Sequence, residues 1–248
     1  MLSIRSAIRS GSPLALLVLL AGCSGQPGQN VAPASGLPQI SRDRLSDSMK
    51  GPIRYLALGD STGAGVGARN GGYVARLFTR MVSHRSGSAL TNLCVSGATS
   101  SDVLGGQLER GVRADPQLVT LGIGINDIGH GVTLEQFSKN YEEILSRLKR
   151  DTKAAIVVTN VPDISSAPRI PQAVRSEYHQ QIVAFNQKLQ EVASRHNVSV
   201  FDIYSVTHEH LSSHPEFFSD DGFHPSDTGY EFWAEQMWPI IELTIGRE

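Results

Sequence analysis

"YLALGDSTGAG", residues Tyr55 to Gly65, sets a serine between two glycines at the end of an apolar run. Gly59-Asp60-Ser61-Thr62-Gly63 satisfies the G-x-S-x-G pattern, in which a sharp strand-to-helix turn exposes a nucleophilic hydroxyl. The same letters open a second kind of motif, and the rest of the chain decides between them.

From Ile53 onward, short apolar runs alternate with segments of helical period. "IRYLAL", "ALTNLCV", "QLVTLGI", "AAIVVTN" and "VSVFDIY" have strand length, β-branched content and turn residues at their ends. Between them, "TLEQFSKNYEEILSRLKR" places Leu134, Phe137, Tyr141, Ile144, Leu145 and Leu148 on one helical face, and Thr133 with Gln136 supplies a capping-box start. "SEYHQQIVAFNQKLQEVASRHN" and "DTGYEFWAEQMWPIIELTI" repeat the helical pattern. Strands alternating with helices predict a parallel sheet covered on both faces. Ligands then bind at the carboxyl ends of the strands, near a topological switch point. Ser61, Ser96-Gly97 and Gly124-Ile125-Asn126-Asp127 each follow one of the first three strands, and "SDDGFHPSD" precedes the final helix. Four polar loops are expected at one sheet edge.

An α/β-hydrolase builds several strands before its nucleophile and places its acid well before its histidine. Here one strand precedes Ser61, and the acid and base that suit the chemistry, Asp221 and His224, are neighbours near the C-terminus. With Gly97 and Gly124-x-Asn126-Asp127, the chain resembles the SGNH hydrolases, also called GDSL-type lipases and esterases, from about Ile53 to the C-terminus. The resemblance implies a flavodoxin-like three-layer α/β/α fold around a five-stranded parallel sheet. It makes Ser61 the nucleophile, His224 the general base and Asp221 the group that orients the imidazole. The backbone N–H groups of Ser61 and Gly97 and the side-chain amide of Asn126 would form the oxyanion hole. It implies no cofactor and no metal. Asp60 and Asp127 read as loop-bracing carboxylates. Thr62-Gly63 departs from the family, where a leucine often follows the serine.

The chain has 248 residues, 40% of them hydrophobic, enough for one sizeable core. A formal net charge of -2, with scattered Lys and Arg, argues against nucleic acid as a partner. The two cysteines, Cys23 and Cys94, cannot make a disulfide framework or a four-ligand zinc site. Cys94 lies in an apolar run and reads as a buried, inert thiol. Cys23 ends an export signal: Arg5 and Arg9 precede "PLALLVLLAG", too short to span a bilayer, and Leu20-Ala21-Gly22-Cys23 resembles a bacterial lipobox. The Gly-, Pro- and Ser-rich stretch that follows reads as a tether, whose roughly 28 residues would span about 30 Å. The organisation expected is a signal over 1–22, a lipidated cysteine and tether over 23–51, and a hydrolase domain over 52–248. The location expected is the cell envelope, with a membrane reached through the lipid on Cys23.

"THEHLSSHPEFFSDDGFH" gathers His208, His210, His214 and His224, which raises a metal-dependent hydrolase as an alternative. The i, i+2 spacing of His208 and His210 splays them on a helix, and no H-E-x-x-H pattern occurs. His130 follows the Asn126 motif and reads equally as a pocket or a surface residue. A ligand-binding lipoprotein without catalysis is a third class. Within the family the substrate stays open: acyl esters, O-acetylated sugars, lysophospholipids and thioesters all fit the chemistry. The Gly-rich "STGAGVGARNGGY" and polar "PDISSAPRIP" offer little apolar rim, which predicts short-to-medium acyl groups.

Overall fold

The computed structural model describes residues 49–246. The expected signal segment, Cys23 and most of the tether lie outside them. In chain order the elements are β1 (Arg54–Gly59), α1 (Ser61–Ala64), α2 (Tyr73–His84), β2 (Ala89–Asn92), α3 (Ser100–Asp102), a π-helical turn (Val103–Gln107), α4 (Leu108–Arg113), β3 (Leu118–Gly122), α5 (Ile125–Gly129), α6 (Leu134–Asp151), β4 (Ala155–Thr159), α7 (Arg175–Arg195), β5 (Ser199–Phe201), α8 (Ile203–His210) and α9 (Asp227–Ile245). The strands form one parallel sheet in the order β2-β1-β3-β4-β5, with Leu56 opposite Val119 and Val119 opposite Ile156. The sheet and its helices form the expected three-layer arrangement.

Alternation along each strand builds the two cores. Leu56 and Leu58 of β1 face Phe137, Tyr141, Ile144 and Leu148 of α6 and Ile182 and Leu189 of α7 in one core. Tyr55 and Ala57 belong to the other, with Leu77 and Met81 of α2 and Tyr230, Met237 and Ile241 of α9. Period-two side chains on a sheet buried on both faces account for the continuous apolar runs in the sequence. No helix among the described residues is long and apolar enough to cross a membrane.

The fifth apolar run differs from its strand reading. β5 stops at Phe201, and Asp202 caps α8 by accepting from Ser205 N at 3.1 Å and Ser205 Oγ at 2.6 Å. Ile203 and Tyr204 are therefore helical, because a capping aspartate ends the extended run. Likewise β2 ends at Asn92, and Cys94 lies just beyond it, partly exposed at the residue level. Met49, assigned to the tether by composition, is half-buried and gives its carbonyl to Arg85 Nη1 at 2.5 Å; Arg85 Nη2 also donates to Gly246 O at 2.8 Å.

β1 and β3 are neighbours, but the chain leaves β1 towards β2 on one side before crossing to β3 on the other. That reversal is the switch point, and the loops carrying Ser61 and Asn126 open from it. The end of β1 is held by a residue with no distinctive sequence signal. Buried Gln107 accepts from Gly59 N and donates to Gly59 O, both at 2.8 Å, so one side chain imitates a neighbouring strand at the step before Asp60. Gln107→Met keeps most of the volume but leaves the Gly59 N–H without that acceptor, a loss of about 1–3 kcal/mol. Thermal unfolding should show a midpoint lower by about 2–4 °C for each kcal/mol; an unchanged midpoint would show that the pairing is not stabilising.

Candidate active site

Ser61 is the first residue of α1 and is buried to 4% exposure. Asp60 caps this short helix: its Oδ1 accepts from Thr62 N at 2.9 Å and from Thr62 Oγ1 at 2.8 Å. Beneath the turn, a Cβ on Gly63 would lie 2.4 Å from Cys94 Sγ. The close packing of that sulfur accounts for glycine at position 63. Burial, with a smaller contribution from Asp60, pushes the Cys94 thiol well above its ordinary range and makes it a packing group.

The histidine comes from the far end of the chain. His224 Nε2 lies 3.0 Å from Ser61 Oγ, and His224 Nδ1 lies 2.5 Å from Asp221 Oδ2. The other carboxylate oxygen of Asp221 accepts from Ser219 Oγ at 2.9 Å, Phe223 N at 2.8 Å and His224 N at 2.9 Å. Partial burial raises the Asp221 pKa, but the hydrogen bonds from His224, Phe223 and Ser219 outweigh it and hold the carboxyl well below its usual range. An ionised Asp221 receives Nδ1–H, which leaves the Nε2 lone pair facing the serine hydroxyl.

Besides Ser61 itself, the expected oxyanion donors Gly97 and Asn126 lie on two segments joined by a hydrogen bond. Gly97 is exposed with φ +80, and a Cβ there would meet nothing within 4 Å, so glycine answers to the left-handed backbone and not to crowding. Asn126 Nδ2 donates to Ala98 O at 2.9 Å, which ties the α5 loop to the Gly97 loop and leaves the second amide hydrogen for another acceptor. Fully buried Asp127 binds the same segment, accepting from Ser100 N at 2.9 Å and Ser100 Oγ at 2.5 Å, while Asn140 donates to Ser100 Oγ and Ser101 Oγ.

The histidines do not form the cluster that their closeness in sequence suggests. His224 joins Ser61, His214 pairs with Glu216 at 2.8 Å, and His210 packs edge-on against Phe232. His208 faces Asp163 and His179, which lie outside that segment, and His130 is an exposed C-cap of α5. The pocket beside Ser61 and His224 takes Thr62, Pro162 and Ile164 from the two expected rim segments, but most of its wall comes from elsewhere. Ile125, Ile164, Val206, Phe217, Phe223 and Trp233 line it, so its wall is apolar and comes largely from α8, the loop before α9, and α9 itself. The Gly-rich loop is instead fixed by α9: Asp227 accepts from Arg69 N and Asn70 N and from Arg76 Nη2.

Residues 57–232 match the GDSL-like lipase/acylhydrolase family. A spore germination lipase, LipC, of Bacillus licheniformis is 28% identical over 75% of this chain and 94% of its own. An arylesterase of Vibrio mimicus is 24% identical over 77% of this chain and 89% of its own. Among solved structures, the acetylxylan esterase Axe2 of Geobacillus stearothermophilus superposes with a TM-score of 0.66 at 20% identity, covering 82% of this chain and 98% of that one. The chain belongs to the GDSL-like lipase/acylhydrolase family and is an ester hydrolase of that type.

Burial pushes the Asp60 carboxyl up to about 6, against the hydrogen bonds from Thr62 and the nearby charge of His224. A carboxyl whose folded pKa exceeds its unfolded value favours folding most when protonated, so its contribution declines as pH rises from about 4 through about 6. Asp60→Asn keeps an oxygen for Thr62 but cannot ionise. Its unfolding free energy relative to the parent should therefore rise between about pH 4 and pH 7, by no more than roughly 3 kcal/mol. Parallel pH profiles for parent and variant would exclude Asp60 as the group responsible.

Proposed function

We propose that this protein is a serine esterase in which Ser61, His224 and Asp221 act as nucleophile, general base and orienting acid. The observation that carries the reading is the continuous chain of contacts from Asp221 Oδ2 through both imidazole nitrogens to Ser61 Oγ, at the edge of an apolar pocket. A serine hydroxyl is a weak nucleophile until a base takes its proton. In the proposed reaction Ser61 Oγ attacks the acyl carbon as its proton passes to His224 Nε2. The resulting oxyanion accepts from the N–H groups of Ser61 and Gly97 and from the free amide hydrogen of Asn126. Collapse breaks the ester bond, and His224 returns the proton to the departing alcohol. Water, deprotonated by the same imidazole, then releases the acid and regenerates Ser61.

The substrate class proposed is a short-to-medium acyl ester. The pocket wall supports an acyl chain of some length, because each methylene removed from water contributes about 0.8 kcal/mol. Rates on acetyl, butyryl, octanoyl and palmitoyl p-nitrophenyl esters should therefore peak at butyryl or octanoyl. A preference for acetyl would favour a carbohydrate O-acetylesterase, which the likeness to Axe2 makes the second reading; a rise continuing to palmitoyl would favour a lipase or thioesterase. The place of action proposed is the cell envelope, supported by the lipobox-like Leu20–Cys23. Incorporation of labelled fatty acid into the parent but not into Cys23→Ala checks it.

Ser61→Ala and His224→Ala should each lower ester turnover by several orders of magnitude with folding retained. Asn126→Ala should reduce kcat by roughly 10²–10³, the usual consequence of deleting one oxyanion donor. Chelation should not abolish turnover. Near-parent rates in folded Ser61→Ala, or turnover that a chelator abolishes and a metal restores, would overturn the serine mechanism.

A further inference from the structure

The loop after β4 carries a group of side chains for which the ester chemistry has no use. Asp163 is buried to 4% exposure, and one of its oxygens, Oδ2, meets two imidazoles: His179 Nδ1 of α7 at 3.0 Å and His208 Nδ1 of α8 at 2.7 Å. The three potential ligand atoms all lie within 4.8 Å of one another. Asp163 itself is fixed, since its Oδ1 accepts from Ser165 N at 3.0 Å and its own N–H donates to Thr207 Oγ1 at 2.7 Å. The Tyr204 ring stacks on His208 at 5.7 Å and holds its plane. On the outer side the His208 side chain is 57% exposed, so the group opens to solvent.

We propose that Asp163, His179 and His208 form a binding site for a divalent transition-metal cation of the Zn²⁺ type. One carboxylate oxygen and two imidazole nitrogens, with water completing a tetrahedron, make a donor set that suits Zn²⁺ and is too nitrogen-rich for Ca²⁺ or Mg²⁺. Bonds of about 2.0–2.2 Å in a tetrahedron separate ligand atoms by about 3.3–3.6 Å. The carboxylate–imidazole separations of 2.7 and 3.0 Å must therefore widen by roughly 0.3–0.9 Å, and the two Nδ1 atoms, already within 4.8 Å of one another, must settle at the same spacing, through rotations of His208 and His179. Each imidazole would bind through the Nδ1 lone pair and keep its proton on Nε2.

The consequence is mechanical. The cation would join α7, α8 and the loop after β4 at one point, adding to the hydrogen bonds that already link the loop to each helix. Ile164, beside Asp163, and Thr207, beside His208, line the apolar pocket, so the clamp stiffens one pocket wall without touching Ser61 or His224. The proposal rests on these side chains alone and stands whatever reaction the serine performs.

The test uses the purified protein, stripped with a chelator and dialysed, then titrated with Zn²⁺ by calorimetry and with Co²⁺ by visible absorption. The expected result is one saturable equivalent, tetrahedral Co²⁺ bands, and a thermal midpoint several degrees higher at a hundredfold excess of Zn²⁺ over Kd. His208→Ala and His179→Ala, changes at solvent-accessible side chains, should abolish all three effects. His210→Ala, from the neighbouring face of α8, should retain them. Absence of saturable binding, binding that survives both His208→Ala and His179→Ala, or binding lost in His210→Ala would overturn the site.

Discussion

The contact between Ser61 Oγ and His224 Nε2 joins residues 163 positions apart, and the fold makes that separation close within a hydrogen bond. A shift of an ångström at either end would break it, so both ends are fixed by several independent bonds. On the serine side, Gln107 pins the end of β1, Asp60 caps the turn and Cys94 packs beneath it. On the histidine side, the Asp221 carboxylate gathers the backbone of Phe223 and His224, Ser219 N donates to His224 O at 2.8 Å, and Ser226 caps α9. The two sides meet through α2 and α9, where Arg76 spans Asp227 and Glu231 and Tyr73 stacks on Trp233 at 4.9 Å. The helix pair lies under the site and transmits the position of one loop to the other.

Local residues were the most legible part of this arrangement. β-branched runs marked the strands, and Ser61, Gly97, Asn126 and the Asp221–His224 pair stand at strand or helix ends, where parallel sheets place polar loops. What the sequence hid depends on partners distant in the chain. Gln107 acts through Gly59, 48 residues away, and nothing in "DVLGGQLER" distinguishes it from a surface glutamine. The fifth strand was overextended because Ile203 and Tyr204 continue an apolar pattern, although Asp202 and Ser205 offered a capping signal. Asp163 and His179 carry no signal in the sequence, because each is an ordinary loop or helix residue until His208 faces them.

The apolar pocket illustrates the same limit in energetic form. Polar and glycine-rich segments beside the serine suggested a wet rim, yet the wall is built by Phe217, Phe223 and Trp233 from the other end of the chain and by Val206 from a helix that the strand reading had partly absorbed. Aromatic residues make up only 6% of the chain, but concentration matters more than content. Several rings brought to one place exclude water along a methylene chain far better than the same rings dispersed through two cores. The apolar wall of the pocket is therefore a product of tertiary assembly, whereas the motif residues are legible in short stretches of sequence.

α8 brings these two levels together. Ile203, Val206, Thr207 and His210 follow the i, i+3, i+4, i+7 spacing of one helical face and line the pocket. Tyr204 and His208, at i and i+4 on an adjacent face, stack on one another, and His208 reaches Asp163. The helix is only eight residues long, too short to be stable alone, so its position depends on what each face contacts. Packing holds the first face and a buried carboxylate holds the second. A change at Asp163 is thus felt at the pocket wall through α8, which gives this carboxylate an influence on the shape of the pocket although Asp163 does not line it.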